Sequence, residues 1–306
     1  MISLRTVFGA ILALIAANHG FAQAPPDPLV KVDGLRQVSA HVHVIPDNSV
    51  PLVPNVGFVI GETGVLVIDT GLGPRNGAAV AEVAQRLGGS RTLYLVTTHV
   101  HPEHDLGAQA FPAQTQMLRA RAQVQDIEEF GLQIAELFRS RSAINAELLK
   151  DASFRKADMT FEREHELDLG GVRVRLIALG ANHTRGDTAV WIEADRVLFS
   201  GDVAMRAQPA FASTYSRLDH WLESLDRLDA LKPAIVVPSH GPIGDAGFIA
   251  GYRTYLTTIR ERVAAAKRGG QNVDKTVESV TGELAGQYPD RGRLGGAVRA
   301  TFGALP

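Results

Sequence analysis

The chain has 306 residues, of which 45% are hydrophobic and 21% are charged, and its formal net charge is −2. This balance gives no electrostatic reason to expect nucleic acid or an anionic membrane as a partner, so we expect a small-molecule substrate. The sequence contains no cysteine, so any bound metal must be held by His, Asp or Glu side chains. Nothing in the sequence indicates an oligomeric state.

The N-terminal segment has the pattern of a secretory signal peptide. Arg5 gives it a basic start, residues 7–17 form an unbroken apolar run, and Ala22 and Ala24 are the small residues that a signal peptidase reads. This run of about eleven residues is shorter than the roughly 20 that span a bilayer. We therefore predict a signal peptide over residues 1–24, a single domain over residues 25–306, a periplasmic or secreted location, and no stable membrane insertion after cleavage.

Strands and helices alternate along the rest of the chain. Apolar β-branched runs predict strands at 38–45, 56–60, 65–68 and 92–97, with a helix at 78–87. Residues 115–149 predict a helix broken at Gly131. Further along, the pattern predicts strands at 161–169, 172–179, 189–193, 197–199 and 234–237, and helices at 218–231, 248–266 and 273–287. The loop at 46–55 is apolar for a loop and predicts a flap over a cleft.

The strongest functional signal lies in residues 98–105. His99, His101, Glu103 and His104 follow a buried strand directly, although the whole chain has only ten histidines. Imidazole and carboxylate donors are what a borderline-soft divalent cation binds, so this segment predicts a metal site. The alternative is a polar loop that holds histidines by chance.

Three more polar turns follow apolar strands in the same way. They carry His183 after the strand at 172–179, Asp202 after the strand at 197–199, and His240 after the strand at 234–237. Sites in α/β sheets lie just beyond strand ends, so we expect these side chains to converge on the first histidine cluster.

These motifs resemble those of the metallo-β-lactamase-fold hydrolase superfamily. The family's His-x-His-x-Asp-His motif corresponds to residues 99–104, its Asp-Thr-Gly turn to residues 69–71, and its later motifs to His183, to Gly201 with Asp202, and to His240. The resemblance implies an αββα sandwich of two mixed β-sheets flanked by helices. Residues 55–59 and 187–191 also resemble a periplasmic branch of the family that is associated with quinoprotein dehydrogenase systems.

The resemblance further implies a centre of two zinc ions and a role for each motif residue. The first zinc would be held by His99, His101 and His183, the second by Glu103, His104 and His240, with Asp202 as the bridge. Asp69 would orient the ligand loop by hydrogen bonds, although a turn carboxylate is the alternative. Glu103 and Asp202 would be the catalytic acids that orient the attacking water and shuttle its proton.

Position 103 departs from the family pattern, which usually has Asp there. Glu is longer by one C–C bond, about 1.5 Å. The second zinc would therefore be displaced or weakly held, or Glu103 would bind it in a different way. Asp105 could in principle substitute, but the pattern does not place it as a ligand.

The function that the family resemblance implies is that of a periplasmic zinc-dependent hydrolase, which cleaves an ester, thioester, lactone or amide-type bond with an activated water. Arg206 could bind a substrate carboxylate, or it could be an ordinary solvated arginine. The alternatives are a β-lactamase, an oxidoreductase with one iron held by two His and one carboxylate in the manner of sulfur dioxygenases, and a non-catalytic binder whose second site was lost through Glu103.

Overall fold

A computed structural model describes residues 26–205 and 216–305. The predicted signal peptide, residues 1–24, and Arg206 lie outside these residues, so both stay predictions. Within the described ranges, no helix combines the length and the apolar character that crossing a membrane requires.

The first sheet has seven strands arranged in chain order from β1 to β7. They are β1 Arg36–Gln37, β2 Val42–Ile45, β3 Val56–Ile60, β4 Gly64–Ile68, β5 Thr92–Val96, β6 Gln116–Ala120 and β7 Met159–Phe161. Strands β1 to β4 pair antiparallel, and β4 to β7 pair parallel. The strands predicted at 56–60 and 65–68 therefore form a hairpin, and the sheet is mixed.

The second sheet has five strands in the order β12-β11-β10-β9-β8. They are β8 Glu164–Asp168, β9 Arg173–Gly180, β10 Asp187–Ile192, β11 Val197–Gly201 and β12 Ile235–Pro238. Strands β11 and β12 are parallel, and the other neighbours are antiparallel. The strand ends that carry Asp202 and His240 therefore lie side by side.

Helices cover the outer faces of both sheets. They are α1 Gly73–Gly88, α2 Pro102–Asp105, α3 Arg121–Arg139, α4 Ala143–Leu148, α5 Leu218–Ala230, α6 Gly247–Arg268, α7 Val273–Leu284 and α8 Arg291–Ala304. In β4, Val65 and Val67 pack in the cluster with α1, whereas Leu66 and Ile68 face the second sheet. Both faces of a central strand are thus buried, as its unbroken apolar run requires.

The packing gives four layers, helix, sheet, sheet and helix. Trp221 of α5 and Leu256 of α6 pack on the outer face of the second sheet, in the same cluster as Leu198 of β11. Between the sheets, Leu66 belongs to one core with Leu176 and Val190. The predicted αββα sandwich of two mixed sheets is confirmed.

Three local predictions are wrong, and one helix was missed. Residues 116–120 form β6 rather than the start of a helix, and the helix that follows passes through Gly131 without a break. At Gly131 a Cβ would lie 3.0 Å from the ring of Phe154, so the glycine serves close packing instead of ending the helix. The segment 161–169 is divided between β7 and β8 in different sheets, and α8 was not predicted.

Candidate metal centre

The candidate ligands all lie just beyond the C-terminal ends of strands. His99 and His101 follow β5, and Glu103 and His104 lie in the short helix α2 that comes next. His183 follows β9, Asp202 follows β11, and His240 follows β12. The sandwich therefore brings donors from both sheets to one edge, as the turn positions predict.

Three imidazoles form the first donor set. The ring centroids of His99, His101 and His183 are 4.6, 5.0 and 4.8 Å apart, and one donor atom from each lies within 4.8 Å of the others. The Nδ1 atom of His101 is 3.2 Å from the Nε2 atom of His183. Two nitrogens bonded at about 2.0–2.1 Å to one tetrahedral zinc lie about 3.3 Å apart, so this spacing fits a shared cation.

Glu103, His104 and His240 form the second donor set, again with donor atoms within 4.8 Å of one another. The Oε1 atom of Glu103 lies 3.9 Å from the Nε2 atom of His104. The longer carboxylate side chain therefore reaches the two imidazoles from its place in α2. His240 is the most accessible member of this set, since the other two are buried.

Asp202 lies between the two sets. Its Oδ2 atom is 3.3 Å from the Nε2 atom of His183, and it also groups with His99 and His104. Burial alone would raise the pKa of Asp202, but the surrounding imidazoles, with His183 first, outweigh burial and hold the pKa well below its ordinary value. Asp202 is therefore an ionised carboxylate between two groups of nitrogen donors.

Four of these side chains bury polar atoms that have no hydrogen-bond partner among the described residues. They are His99 Nε2, Glu103 Oε2, His104 Nε2 and Asp202 Oδ1. An unsatisfied buried polar group costs about 1–3 kcal/mol, so four at one place call for a ligand. Nitrogen and oxygen donors without thiolate suit zinc, and the donor set therefore fits the metal that the sequence implies.

Hydrogen bonds on the far side of the rings set which nitrogen faces the centre. One carboxylate oxygen of Asp69 lies 2.9 Å from His104 Nδ1 and accepts from Thr98 Oγ1 at 3.0 Å, and the other accepts from the Thr98 amide at 2.7 Å. His240 Nδ1 lies 2.9 Å from the carbonyl oxygen of Val53. Burial lowers the pKa of His104, but the carboxylates of Asp69, Glu103 and Asp202, with Asp69 first, outweigh burial and raise it to about 9. Both rings are thus held with Nε2 toward the centre.

A comparison with protein families identifies the superfamily to which this fold belongs. The profile described as "Metallo-beta-lactamase superfamily" matches residues 50–240, which span every candidate ligand. The chain belongs to the metallo-beta-lactamase superfamily. The family resemblance in the sequence is therefore confirmed, whereas the narrower resemblance to the quinoprotein-associated branch stays a prediction.

Two curated proteins are similar to this member of the superfamily. The "Metallo-beta-lactamase type 2" of Bacillus sp. (strain 170) is 22% identical over 206 residues, which cover 64% of this chain and 70% of that protein. The "Beta-lactamase-like protein 2 homolog" of Caenorhabditis elegans is 30% identical over 97 residues, which cover 30% of this chain and 32% of that protein. The match therefore spans about a third of the second relative.

Two solved structures share the fold at low identity. The metallo-beta-lactamase from Pontibacter korlensis has a TM-score of 0.58 at 20% identity, covering 73% of this chain and 98% of that one. The inverting sec-alkylsulfatase Pisa1 from Pseudomonas sp. has a TM-score of 0.68 at 14% identity, covering 88% of this chain and 49% of that one. This chain thus spans about half of the sulfatase, and both likenesses concern the fold.

An ion pair that the sequence did not indicate supports the ligand helix of this superfamily member. Both carboxylate oxygens of Asp105 contact the guanidinium of Arg119, and one also accepts from Thr97 Oγ1 at 2.8 Å. Asp105 therefore points away from the centre, and it is not available to replace Glu103 as a ligand. Its role is to anchor the end of α2.

The loop that carries His183 is fixed from two sides. The carboxylate of Asp187 accepts from the amides of His183 at 2.6 Å and of Thr184 at 3.0 Å. Arg185 pairs with the buried Asp126 of α3 at 2.7 Å. These residues hold the loop without touching the centre.

The centre lies at the floor of a cleft of about 630 Å³. One wall is the apolar loop segment 50–52, in agreement with the predicted flap, and the other is the end of α3 with Ile134, Leu137 and Phe138. Arg141 also lines the cleft, with its guanidinium 3.7 Å from the centroid of the Phe138 ring. Arg206 lies outside the described residues, and among the residues that the structure describes Arg141 and Arg293 are the arginines that line this cleft.

Proposed function

We propose that this protein is a zinc-dependent hydrolase that binds two ions and cleaves an ester, thioester, lactone or amide-type bond in a small molecule. The observation that carries the proposal is the convergence of four buried donor atoms that have no hydrogen-bond partner among the described residues. They belong to the two donor sets and to Asp202, which lies between these sets. The superfamily consists mostly of hydrolases, which supports the reaction class but does not select the bond.

Each donor set has a distinct task in this proposal. His99, His101 and His183 hold one ion, Glu103, His104 and His240 hold the other, and Asp202 lies between them. When bound, zinc supplies a water whose pKa is about 7 and polarises the substrate carbonyl. The ionised Asp202 would orient the attacking water by accepting a hydrogen bond from it, and Glu103 is the second acidic group at the centre.

The cleft decides which molecules reach the centre. The segment 50–52 and the end of α3 present apolar walls, so they exclude bulk water from a bound substrate. Arg141 adds a positive charge on one side, which favours a substrate with an anionic group. We place this enzyme in the periplasm or outside the cell, because residues 1–24 have the signal-peptide pattern.

A β-lactamase and an iron-dependent oxygenase are the alternative activities. The similarity to a protein named as a type 2 metallo-beta-lactamase keeps β-lactams among the candidate amides. An oxygenase that needs one iron with two His and one carboxylate would leave the second donor set without a function. The hydrolase therefore accounts for more of the observed donors.

The test is metal quantification combined with a substrate panel. Purified protein from residue 25 onward is assayed with p-nitrophenyl esters, thioesters, lactones and nitrocefin, and its bound metals are measured by mass spectrometry. We expect zinc at about two ions per chain, turnover that a chelator removes and added zinc restores, and a loss of at least about a hundredfold in kcat for Asp202→Asn.

The matched control is Asp229→Asn, because Asp229 is an acid in an exposed ion pair at the end of α5, before β12 begins, whereas the ligand His240 follows the other end of that strand. It should retain full turnover. One iron per chain without zinc would favour the oxygenase, and a chain that binds zinc but turns over no substrate would favour the non-catalytic binder.

A further inference from the structure

A second pocket lies beside the metal cleft and is not explained by the centre itself. It has a volume of about 480 Å³ and lies between α6, α8 and the connection from α7 to α8. Its walls are mainly aromatic and apolar, from Phe248, Tyr252, Tyr255, Tyr288 and Met205. Small-molecule sites have this size and character, whereas packing voids inside a core are far smaller.

This side pocket shares a wall with the metal cleft. Met205 and Arg293 line both spaces. The ring of Tyr252 is 5.4 Å from Trp221, whose ring lies 6.5 Å from the ligand His183. A molecule held at the centre therefore has an apolar compartment on the other side of Met205 and Arg293.

The hydroxyl of Tyr252 indicates that the compartment receives a ligand with a polar atom. Tyr252 is 3% exposed, and its hydroxyl has no hydrogen-bond partner among the residues of the described ranges. Burial, with Tyr255 and Asp202, raises the pKa of Tyr252 well above 10, so the phenol stays protonated and can donate. Buried Tyr hydroxyls usually have a partner, and here a ligand would supply it.

We propose that the side pocket is the subsite for the non-reacting arm of the substrate, that this arm is aromatic or branched aliphatic, and that Tyr252 donates a hydrogen bond to an oxygen on it. This inference rests on the hydrolase function proposed above. It narrows the substrate class from any small ester, thioester, lactone or amide to those whose acyl group has a bulky apolar arm.

Gly251 offers a direct way to fill the pocket. It lines the pocket from α6, and a Cβ added there would meet nothing within 4 Å. Gly251→Phe therefore adds an aromatic ring at the pocket without a clash at its Cβ. Gly251→Leu adds a smaller apolar side chain at the same place. Gly282→Phe is the matched control, since Gly282 is also an exposed helical glycine with open space around its Cβ, but in α7 and away from the pocket.

The first readout compares p-nitrophenyl acetate with p-nitrophenyl 4-phenylbutyrate. In the zinc-loaded wild type we expect kcat/KM to favour the phenylbutyrate by about tenfold or more, because the arm buries a ring. Gly251→Phe should bring the ratio of the two values close to one, and Gly282→Phe should leave the ratio unchanged. A ratio that Gly251→Phe and Gly251→Leu both leave at its wild-type value would overturn the inference.

The second readout is calorimetric binding of 4-phenylbutyrate and of 4-oxo-4-phenylbutyrate, which needs no turnover. Gly251→Phe should weaken both acids about tenfold relative to Gly282→Phe. Tyr252→Phe should weaken the oxo acid selectively, and equal binding of that acid by wild type and Tyr252→Phe would refute the hydrogen bond. If no ester is hydrolysed but Gly251→Phe weakens binding, the subsite stands and the hydrolase proposal fails. If esters are hydrolysed and Gly251→Phe changes neither readout, the hydrolase proposal stands and the subsite inference fails.

Discussion

The ion pair between Arg119 and Asp105 is the contact whose loss we expect to cost most stability. The two side chains are 1% and 0% exposed, and both carboxylate oxygens are engaged. Arg119→Met would leave the Asp105 charge buried without its cation, which typically costs about 3–5 kcal/mol. This is a large share of the roughly 5–15 kcal/mol that stabilises a domain.

The exposed pair of Arg121 with Glu162 is the matched control, because the two side chains are 53% and 70% exposed. Arg121→Met should cost at most about 1 kcal/mol. Urea unfolding of the metal-free proteins measures both changes. The double variant Asp105→Leu/Arg119→Met should be more stable than Arg119→Met, since it removes the unpaired charge. Equal losses for Arg119→Met and Arg121→Met would refute the reasoning.

Three further predictions concern the metal, its positioning and pH. Removing zinc with a chelator should lower Tm, because a ligand at a hundred times its Kd stabilises by about 2.7 kcal/mol per site; an unchanged melting curve would contradict zinc binding to the folded state. Asn55→Ala removes the hydrogen bonds that the side-chain amide donates, at 2.8 and 2.9 Å, to the carbonyl oxygens of Pro238 and Gly241 on either side of His240. Without them His240 should be poorly positioned as a ligand, so metal analysis should find about one zinc per chain in place of two. Burial raises the pKa of Asp195, but hydrogen bonds from Ser39 and His41 outweigh burial and lower it below 3.8. The stability that Asp195 contributes is present above that value and lost as pH falls through the lowered pKa, so the gap in unfolding free energy between wild type and Asp195→Asn should be smaller at pH 3 than at pH 7.

The strands and most of the donor residues were predictable from the sequence because their signals are local, whereas the αββα sandwich and the role of Asp69 were implied by the family resemblance. An apolar run followed by a polar turn marks a strand end, and four such turns carry His99, His183, Asp202 and His240. The rule that sites lie beyond strand ends does not depend on knowing the strand order. Their convergence therefore followed from pattern alone, although the pattern could not show which nitrogen of each ring faces the centre.

The supporting residues were missed because their signals depend on tertiary contacts. Residues 116–120 contain Met, Leu, Arg and Ala, which favour a helix, but parallel neighbours on both sides make them β6. With that strand misassigned, the buried Arg119 had no reason to be paired with Asp105. Arg141 follows α3 and Tyr252 lies on α6, and both segments were predicted to be helical, yet only the structure shows that these residues line the cleft and the side pocket.

The centre is held ready for metal by contacts that do not include the metal. Asp69 fixes His104, Val53 fixes His240, and Asp187 fixes the backbone of His183. Asp69 itself has a φ of 64°, in the left-handed region that side chains rarely adopt, so its place is maintained by its hydrogen bonds and not by backbone preference. The protein therefore keeps unsatisfied donors together at a cost that the core of the sandwich must offset. Metal binding would remove this cost, which is why we expect the metal-free chain to be folded but less stable.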